Sequence, residues 1–327
     1  MSRIRVGIVG YGNVGRGAAL AVDAASDMEL KAIFTRRDPD ALKKTGDIDS
    51  DVAVMHIDTA ESMVDDIDVM LLCGGSATDL PEQGPYFAKM FNTVDSYDTH
   101  AKIPEYTASI NAAAKKTTAV ISTGWDPGLF SMMRVLFEST LQDGSSYTFW
   151  GEGVSQGHSD AIRRVEGVKH AAQYTIPVST VVEAVRSGQK PKLEARDKHR
   201  RDCYVVCEQG VDKAKIEATI KNMPHYFADF DTTVTFIEED EFLARHNEMP
   251  HGGMVLRSGS TGANSQIMEF ALKLKSNPEF TGSIIVTYAR AAYRLSKEGQ
   301  YGAKTVFDIP LSYLSPTDRD TLIKELL

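Results

Sequence analysis

Cysteine is scarce in this chain: Cys73, Cys203 and Cys207 are its only three in 327 residues. So few, so unevenly spaced, exclude a disulfide framework and suit a reducing compartment. Cys203 and Cys207 share one face if 202–207 is a strand, which points to burial. No C-x-x-C occurs, and His246 and His251 lack the i, i+4 helical spacing of a paired ligand set, so no metal is expected. Positive charge is also short: 36 Lys and Arg against 45 Asp and Glu give a formal charge of −9. That balance excludes a general nucleic-acid or anionic-membrane binder while allowing a locally basic pocket. No apolar run is long enough to span a bilayer, and a strand-like run begins at Ile4 without a basic, apolar, small-residue leader. A soluble, cytoplasmic protein is expected. At roughly 100–200 residues per domain, the length suggests two domains.

What is present begins with Gly10-Tyr11-Gly12-Asn13-Val14-Gly15, which closes the first apolar run. Ile4, Val6, Ile8 and Val9 read as a strand, 18–22 as a small-residue helix start and 28–34 as a second strand. The glycines therefore sit in a βαβ frame. There they give a tight turn, a close approach of backbone to a pyrophosphate and a close strand–helix contact, while the helix directs N–H groups at the phosphates. Roughly 20 residues on, where an NAD site places an acid, stand Thr35-Arg36-Arg37. Two arginines suit a ribose 2′-phosphate, so NADP is the expected cofactor.

Strand candidates at 5–9, 30–34, 52–57, 69–73, 93–96 and 119–122 alternate with helical stretches, among them 82–91 and 103–114. This predicts an α/β, Rossmann-type doubly wound parallel sheet. Ligands in such sheets lie beyond the carboxyl ends of the strands, so Thr35, Cys73 to Ser76, Asp95 to Asp98 and Ser122 to Asp126 should line one crevice. After Pro127 the pattern changes. A helix at 128–141 precedes longer strands at 147–150, 169–176, 203–208, 232–238 and 253–258, with helices at 181–185 and 213–222. A second, α+β domain on a mostly antiparallel sheet is expected. The polar, basic, proline-bearing segment 187–200 reads as an exposed loop. Near the end, 284–295 reads as an apolar helix, 305–309 as a strand and 316–326 as a capped helix. The expected domains are 1–124, completed by 300–327, and 125–299.

Several segments carry chemistry. Ser122-Thr123-Gly124-Trp125-Asp126-Pro127-Gly128 combines a turn, a flat side chain and a carboxylate, which suits a substrate wall. It equally suits a hinge, with Asp126 capping the next helix. The run from Phe149 to Asp160 is polar and glycine-dense, so its backbone can approach a ligand closely. Arg201, His251 and Thr175 supply a guanidinium, an imidazole and a hydroxyl, the groups that clamp a carboxylate.

STGWDPG at 122–128, WGEGVSQGHSDAIRR at 150–164, DSYD at 95–98, QYT at 173–175 and MPHGG at 249–253 together resemble the meso-diaminopimelate dehydrogenase family. The resemblance runs from Arg5 to the final helix, with small departures at Val14 and Gly74 that bear on cofactor affinity. It implies a homodimeric, NADP-dependent enzyme of lysine and cell-wall precursor metabolism. Its reaction is reversible oxidative deamination of the D-centre of meso-2,6-diaminopimelate to L-2-amino-6-oxopimelate (tetrahydrodipicolinate on cyclisation) and ammonia. The second domain would then bind substrate and form the dimer. By position, Gly10, Tyr11, Gly12, Asn13, Val14, Gly15, Thr35, Arg36, Arg37, Cys73, Gly74, Gly75, Ser76, Ser96, Tyr97, Asp98, Thr123, Gly124, Trp125, Asp126 and Pro127 would border NADP. Substrate would meet Asp98, Trp125, Asp126, Trp150, Gln156, Gly157, Asp160, Thr175, Arg201, His251 and Asn277. A substrate with two ammonium and two carboxylate groups needs both acids and cations. Asp98 and Asp126 would orient the reacting amine, while Arg201, Thr175 and His251 would hold the distal carboxylate. Either acid could serve as base, and the sequence does not choose. Other NADP-linked reductases of this plan would show a nucleophilic cysteine loop, a Glu-Lys-Pro or a His-His and Lys cluster, none of which occurs. A non-catalytic NADPH sensor would lack the convergent polar side chains.

Overall fold

In the computed structural model, which describes residues 3–224, 226–246 and 248–327, the first apolar run becomes β1 (Ile4–Val9). It is followed by α1 (Asn13–Asp23), β2 (Met28–Thr35), α2 (Pro39–Lys43), β3 (Ala53–His56), β4 (Val69–Leu72), α3 (Leu80–Ala88), β5 (Asn92–Asp95), α4 (Ile103–Ala113) and β6 (Thr118–Val120). Residues up to Met132, with Pro278–Leu327, make one unit of the chain, and Met133–Asn277 make the other. The helix α5 (Leu129–Thr140) begins in the first unit, which regains the chain through α11 (Asn277–Lys297), β14 (Gly302–Lys304) and α12 (Arg319–Leu326).

The first unit holds one seven-stranded sheet in the order β14-β6-β5-β4-β1-β2-β3. Every strand pair in it is parallel. The order reverses between β1 and β4, which is the topological switch point where a dinucleotide lies in a Rossmann-type sheet. Helices cover both faces, so Val69, Met70, Leu71 and Leu72 are all buried and β4 shows no alternation. Val6, Ile8 and Leu71 pack on one face with Ile285, Tyr288 and Ala292 of α11. Val9, Phe34, Met70 and Leu72 pack on the other with Phe87 and Ile110. Each such aliphatic or aromatic side chain contributes about 1.5–3 kcal/mol of transfer free energy.

The expected boundary at residue 300 falls elsewhere, because α11 belongs to the first unit. A Cβ on Gly17 would lie 2.6 Å from the Glu279 Cα, so α1 and α11 touch backbone to backbone. Arg290, buried on α11, donates to both carboxylate oxygens of Asp27 at 2.6 and 2.7 Å. The hydrogen bonds from Arg290 hold the Asp27 pKa below its usual value. The last strand also lies earlier than the 305–309 expected. Thr305 instead starts a 3-10 turn over Val306–Asp308, with Asp308 accepting from the Thr305 N–H at 2.7 Å.

The second unit has two sheets. One orders as β11 (Asp231–Phe236), β10 (His199–Cys207), β9 (Val168–Pro177) and β8 (Gly153–Val154). The other orders as β13 (Asn264–Leu274), β12 (His251–Thr261) and β7 (Gly144–Trp150). All pairs are antiparallel except β10 with β11. The helices are α6 (Gln156–Arg163), α7 (Ser179–Arg186), α8 (Ala195–Lys198), α9 (Lys213–Lys221) and α10 (Glu239–Arg245). The segment 187–200 is therefore not wholly a loop. Glu194 and Asp197 box the start of α8, and β10 begins at His199 because His199 and Arg201 both turn inward. Cys203 is buried and Cys207 borders the same cluster. Strand β13 is not among the expected strands: its first four residues are exposed, three of them polar, and its alternation starts only at Met268. No helix among the described residues is long and apolar enough to cross a membrane.

Candidate active site

In the first unit, the site grows from the carboxyl ends of β1, β2, β4, β5 and β6. Gly10 has φ of +88°, and a Cβ on Gly15 would sit 2.1 Å from the Gly10 carbonyl oxygen. The turn into α1 thus closes too tightly for any side chain at residue 15. A Cβ on Gly12 would meet nothing within 4 Å. That free space beside the first turn of α1 suits a pyrophosphate, so the residues present fit a dinucleotide. Tyr11 is buried, Asn13 exposed and Val14 half-buried against the core.

At the end of β2, the Arg37 guanidinium donates to the Tyr11 carbonyl at 2.7 Å, and the Arg37 N–H donates to the Thr35 hydroxyl at 3.0 Å. Arg36 is 3.0 Å from Asp79, whose other oxygen accepts from the Gly75 N–H at 2.8 Å. The arginine pair is therefore fastened to both neighbouring loops while remaining exposed. Asp79 is a linker that the sequence pattern did not single out. Cys73 closes β4 beside β1, and burial pushes its thiol up to about 12, so it stays protonated at neutral pH.

Ser76 joins this loop to the next: its hydroxyl accepts from the Asp98 N–H at 2.9 Å. Asp98 is exposed, Ser96 half-buried, and Tyr97 stacks on Tyr106 at 4.1 Å. The Asp95 carboxylate is buried at the centre. It accepts from the Tyr97 N–H at 2.9 Å, the Ser122 N–H at 3.0 Å and the Tyr106 hydroxyl at 2.8 Å. Desolvation raises its pKa, and those three hydrogen bonds oppose the rise. Ser122 is held there at φ of +56°, outside the ordinary range of a serine. The Thr123 N–H and hydroxyl both donate to the Asp95 carbonyl, at 2.9 and 2.8 Å. Asp95 thereby fixes the loop carrying Gly124, Trp125, Asp126 and Pro127. Trp125 is buried, edge-on to Phe130 at 5.3 Å, and Asp126 and Pro127 are half-buried. The strand-end loops named from the sequence do converge, and Asp95, not Asp98, is what ties them.

In the second unit, Arg201 and Thr175 face each other across the β9–β10 register. Arg201 donates to the Thr175 hydroxyl, and its guanidinium lies 4.1 Å from the Phe230 ring centre. Both residues are buried, and the Arg201 Nε has no hydrogen-bond partner among the described residues. Burial pushes the Arg201 pKa down to about 10, which leaves it a cation at neutral pH. Three imidazoles stand in its field. Desolvation first, and Arg201 second, push His158 down to about 4 and His199 down to about 3. Desolvation also lowers His251, with Arg201 assisting. All three are neutral at pH 7.

Two of these neutral histidines hold backbone, while the His158 Nδ1 shares a hydrogen bond with the Ser155 hydroxyl at 2.7 Å. The His199 Nε2 accepts from the Trp150 N–H at 2.8 Å, and the rings of His199 and Trp150 stack at 5.4 Å. The His251 Nδ1 accepts from the Gly252 N–H at 2.8 Å. Gly153 pairs with Thr175, and its Cα is so close to the His251 backbone that a Cβ would lie 2.3 Å from the His251 Cα. Gln156 donates to the Met249 sulfur at 3.0 Å, and the Asn277 N–H donates to the Met249 carbonyl at 3.0 Å. Trp150, Gln156, Thr175, Arg201, His251 and Asn277 are so brought into one neighbourhood. Gly157 faces open space. Asp160 is exposed and paired with Arg163, outside that neighbourhood's hydrogen bonds. His158, His199 and Gln173 were missed by sequence reasoning. Their signal was present in GHSD, in the inward alternation of β10 and in QYT.

A family model described as Diaminopimelic acid dehydrogenase C-terminal domain matches residues 124–276. The chain is 61% identical over 330 residues to the meso-diaminopimelate D-dehydrogenase of Ureibacillus thermosphaericus, with 100% of each covered. Among solved structures it is similar to the C. glutamicum DAP dehydrogenase in complex with DAP, at a TM-score of 0.91 and 42% identity, with 100% of each chain covered. It is also similar to an engineered D-amino acid dehydrogenase bound to NADP+, at a TM-score of 0.86 and 41% identity, with 100% of each chain covered.

Proposed function

The chain belongs to the meso-diaminopimelate D-dehydrogenase family, and from that premise we propose what its residues do. It catalyses the NADP-dependent, reversible oxidative deamination of the D-centre of meso-2,6-diaminopimelate, yielding L-2-amino-6-oxopimelate and ammonia, in lysine and cell-wall precursor metabolism. The observation that carries the substrate reading is Arg201: a buried cation bonded to a threonine hydroxyl and a ring face, with no ion-paired acid among the described residues. Burying an unpaired charge is costly, so such a group calls for an anion. Arg201, Thr175 and His251 hold the distal, L-centre carboxylate, with Trp150, Gln156, Gly157, Asp160 and Asn277 bordering the substrate.

NADP, when bound, supplies the hydride acceptor. Gly10 to Gly15 hold its pyrophosphate, Thr35 to Arg37 its 2′-phosphate, and Cys73 to Ser76, Ser96 to Asp98 and Thr123 to Pro127 border it. Asp98 and Asp126 orient the reacting amine, and one of them accepts the proton that the ammonium loses before its carbon is oxidised. Trp125 walls the reacting carbon. A wrong isomer leaves buried polar groups unpaired, which supports discrimination of about 10⁴–10⁵. The first unit is the dinucleotide-binding domain, and the second carries substrate and the contact of a homodimer. Three free cysteines fit work in the cytoplasm. The test is to follow NADPH formation with the meso, L,L and D,D isomers. The meso isomer should react and release ammonia; no signal with it overturns the reading.

A further inference from the structure

Gln173 is fully buried on β9, two residues before Thr175 on the same face of the strand. Its backbone is pinned: the N–H donates to the Ser159 hydroxyl at 2.9 Å, and the carbonyl accepts from the Ser155 N–H at 2.9 Å. Its side chain makes one hydrogen bond, from Nε2 to the Thr175 hydroxyl at 3.4 Å, and its Oε1 has no partner among the described residues. Arg201 donates to that same hydroxyl.

A hydroxyl has two acceptor lone pairs and one hydrogen. With Arg201 and Gln173 both donating, both lone pairs of the Thr175 oxygen are engaged, and its hydrogen is left to be donated elsewhere. We propose that Gln173 is a positioning residue which, together with Arg201, forces the Thr175 hydroxyl to act as a hydrogen-bond donor to the substrate's distal carboxylate. This rests on the assignment of that carboxylate to Arg201 and Thr175. Were a hydrogen-bond acceptor to take the place of Nε2, the threonine hydrogen would turn to it, and the carboxylate would lose its donor. A fully buried amide whose oxygen has no partner among the described residues is a costly arrangement for packing alone. It is accounted for by the donor it presents.

The test compares steady-state kinetics of the full-length enzyme carrying Gln173→Leu, Thr175→Val, both changes, or Arg201→Leu. Removing one hydrogen bond to a charged group changes affinity by about 10-fold or more. Gln173→Leu should raise KM for meso-diaminopimelate about 10-fold, with kcat falling by less. Added to Thr175→Val it should cost nothing further, because its effect runs through the hydroxyl. If the losses instead multiply, or KM moves less than twofold, the inference is overturned. Should Gln173→Leu fail to fold, Gln173→Glu keeps the volume and replaces the donor by an acceptor. It should raise KM by at least as much, and an unchanged KM again overturns the inference. An Arg201→Leu enzyme with unaltered KM would sink the underlying carboxylate assignment; a raised KM there with no effect at Gln173 would sink this inference alone.

Discussion

The two units build polar sites in opposite ways. The first uses backbone and exposed charge: a glycine turn with room beside Gly12, and Arg36, whose side chain is 67% exposed. The second uses buried side chains: Arg201, Thr175, Gln173 and His199 all lie inside. An exposed charge is screened and each of its contacts is worth little, whereas a buried one interacts strongly and tolerates no missing partner. The first arrangement can therefore bind a large, many-handed ligand through many modest contacts. The second can read a single carboxylate with few.

The contrast has measurable consequences, and the largest is steric. Gly15→Ala places a methyl 2.1 Å from the Gly10 carbonyl, so the loop must open. NADP binding, followed by fluorescence titration, should weaken by more than about 100-fold, given the close approach the motif requires. Retained affinity would mean that the turn does not set the cofactor site. Next comes Asp95→Ala, which strands two N–H groups and the Tyr106 hydroxyl. At about 1–3 kcal/mol for each buried group left unsatisfied, denaturant titration should register a loss of several kcal/mol. A loss below about 1 kcal/mol would deny Asp95 its place as the tie between loops.

Acid should strike the second unit through its histidines. His158 and His199 are neutral when folded, pushed to about 4 and about 3 by burial and Arg201. The unfolded chain binds their protons first, near its ordinary value of about 6.5, so unfolding is favoured as pH falls. Their contribution is complete above about pH 6.5 and is lost as pH drops toward those folded values. Protonating His199 also removes the acceptor for the Trp150 N–H. Melting temperature should hold level above pH 6.5 and decline toward pH 4; a level curve down to pH 4 would contradict it. The smallest effect belongs to Arg36→Ala. NADP affinity should fall about 10-fold while NAD affinity stays nearly constant, since one charge-assisted contact is lost. Equal losses for both cofactors would make Arg36 surface charge.

The same contrast explains what the sequence made legible. Gly10, Gly12, Gly15 and Arg36 announce themselves because the roles proposed for them follow from local geometry and spacing along the chain. The parallel sheet was equally plain, since its buried strands are continuous apolar runs. Asp95 was harder: it stands three residues from the more conspicuous Asp98, and only its burial distinguishes a tie from a ligand. His199 acquires its role from Trp150 on another strand, and Gln173 from a Thr175 hydroxyl that Arg201 engages from the neighbouring strand, so neither role follows from local spacing alone. Strand β14 was misplaced by three residues because the apolar Val306 and Ile309 belong to a capped turn, not to the sheet.

The buried Arg201 carries the substrate assignment, and one kinetic comparison tests it most directly. Arg201→Leu is compared with the unaltered enzyme on meso-diaminopimelate and on D-lysine, which lacks the distal carboxylate. KM for diaminopimelate should rise about 100-fold, as two charge-assisted contacts are lost, while kcat/KM for D-lysine should not fall. Equal losses on both substrates would contradict the assignment, because Arg201 would then serve the fold and not the distal carboxylate.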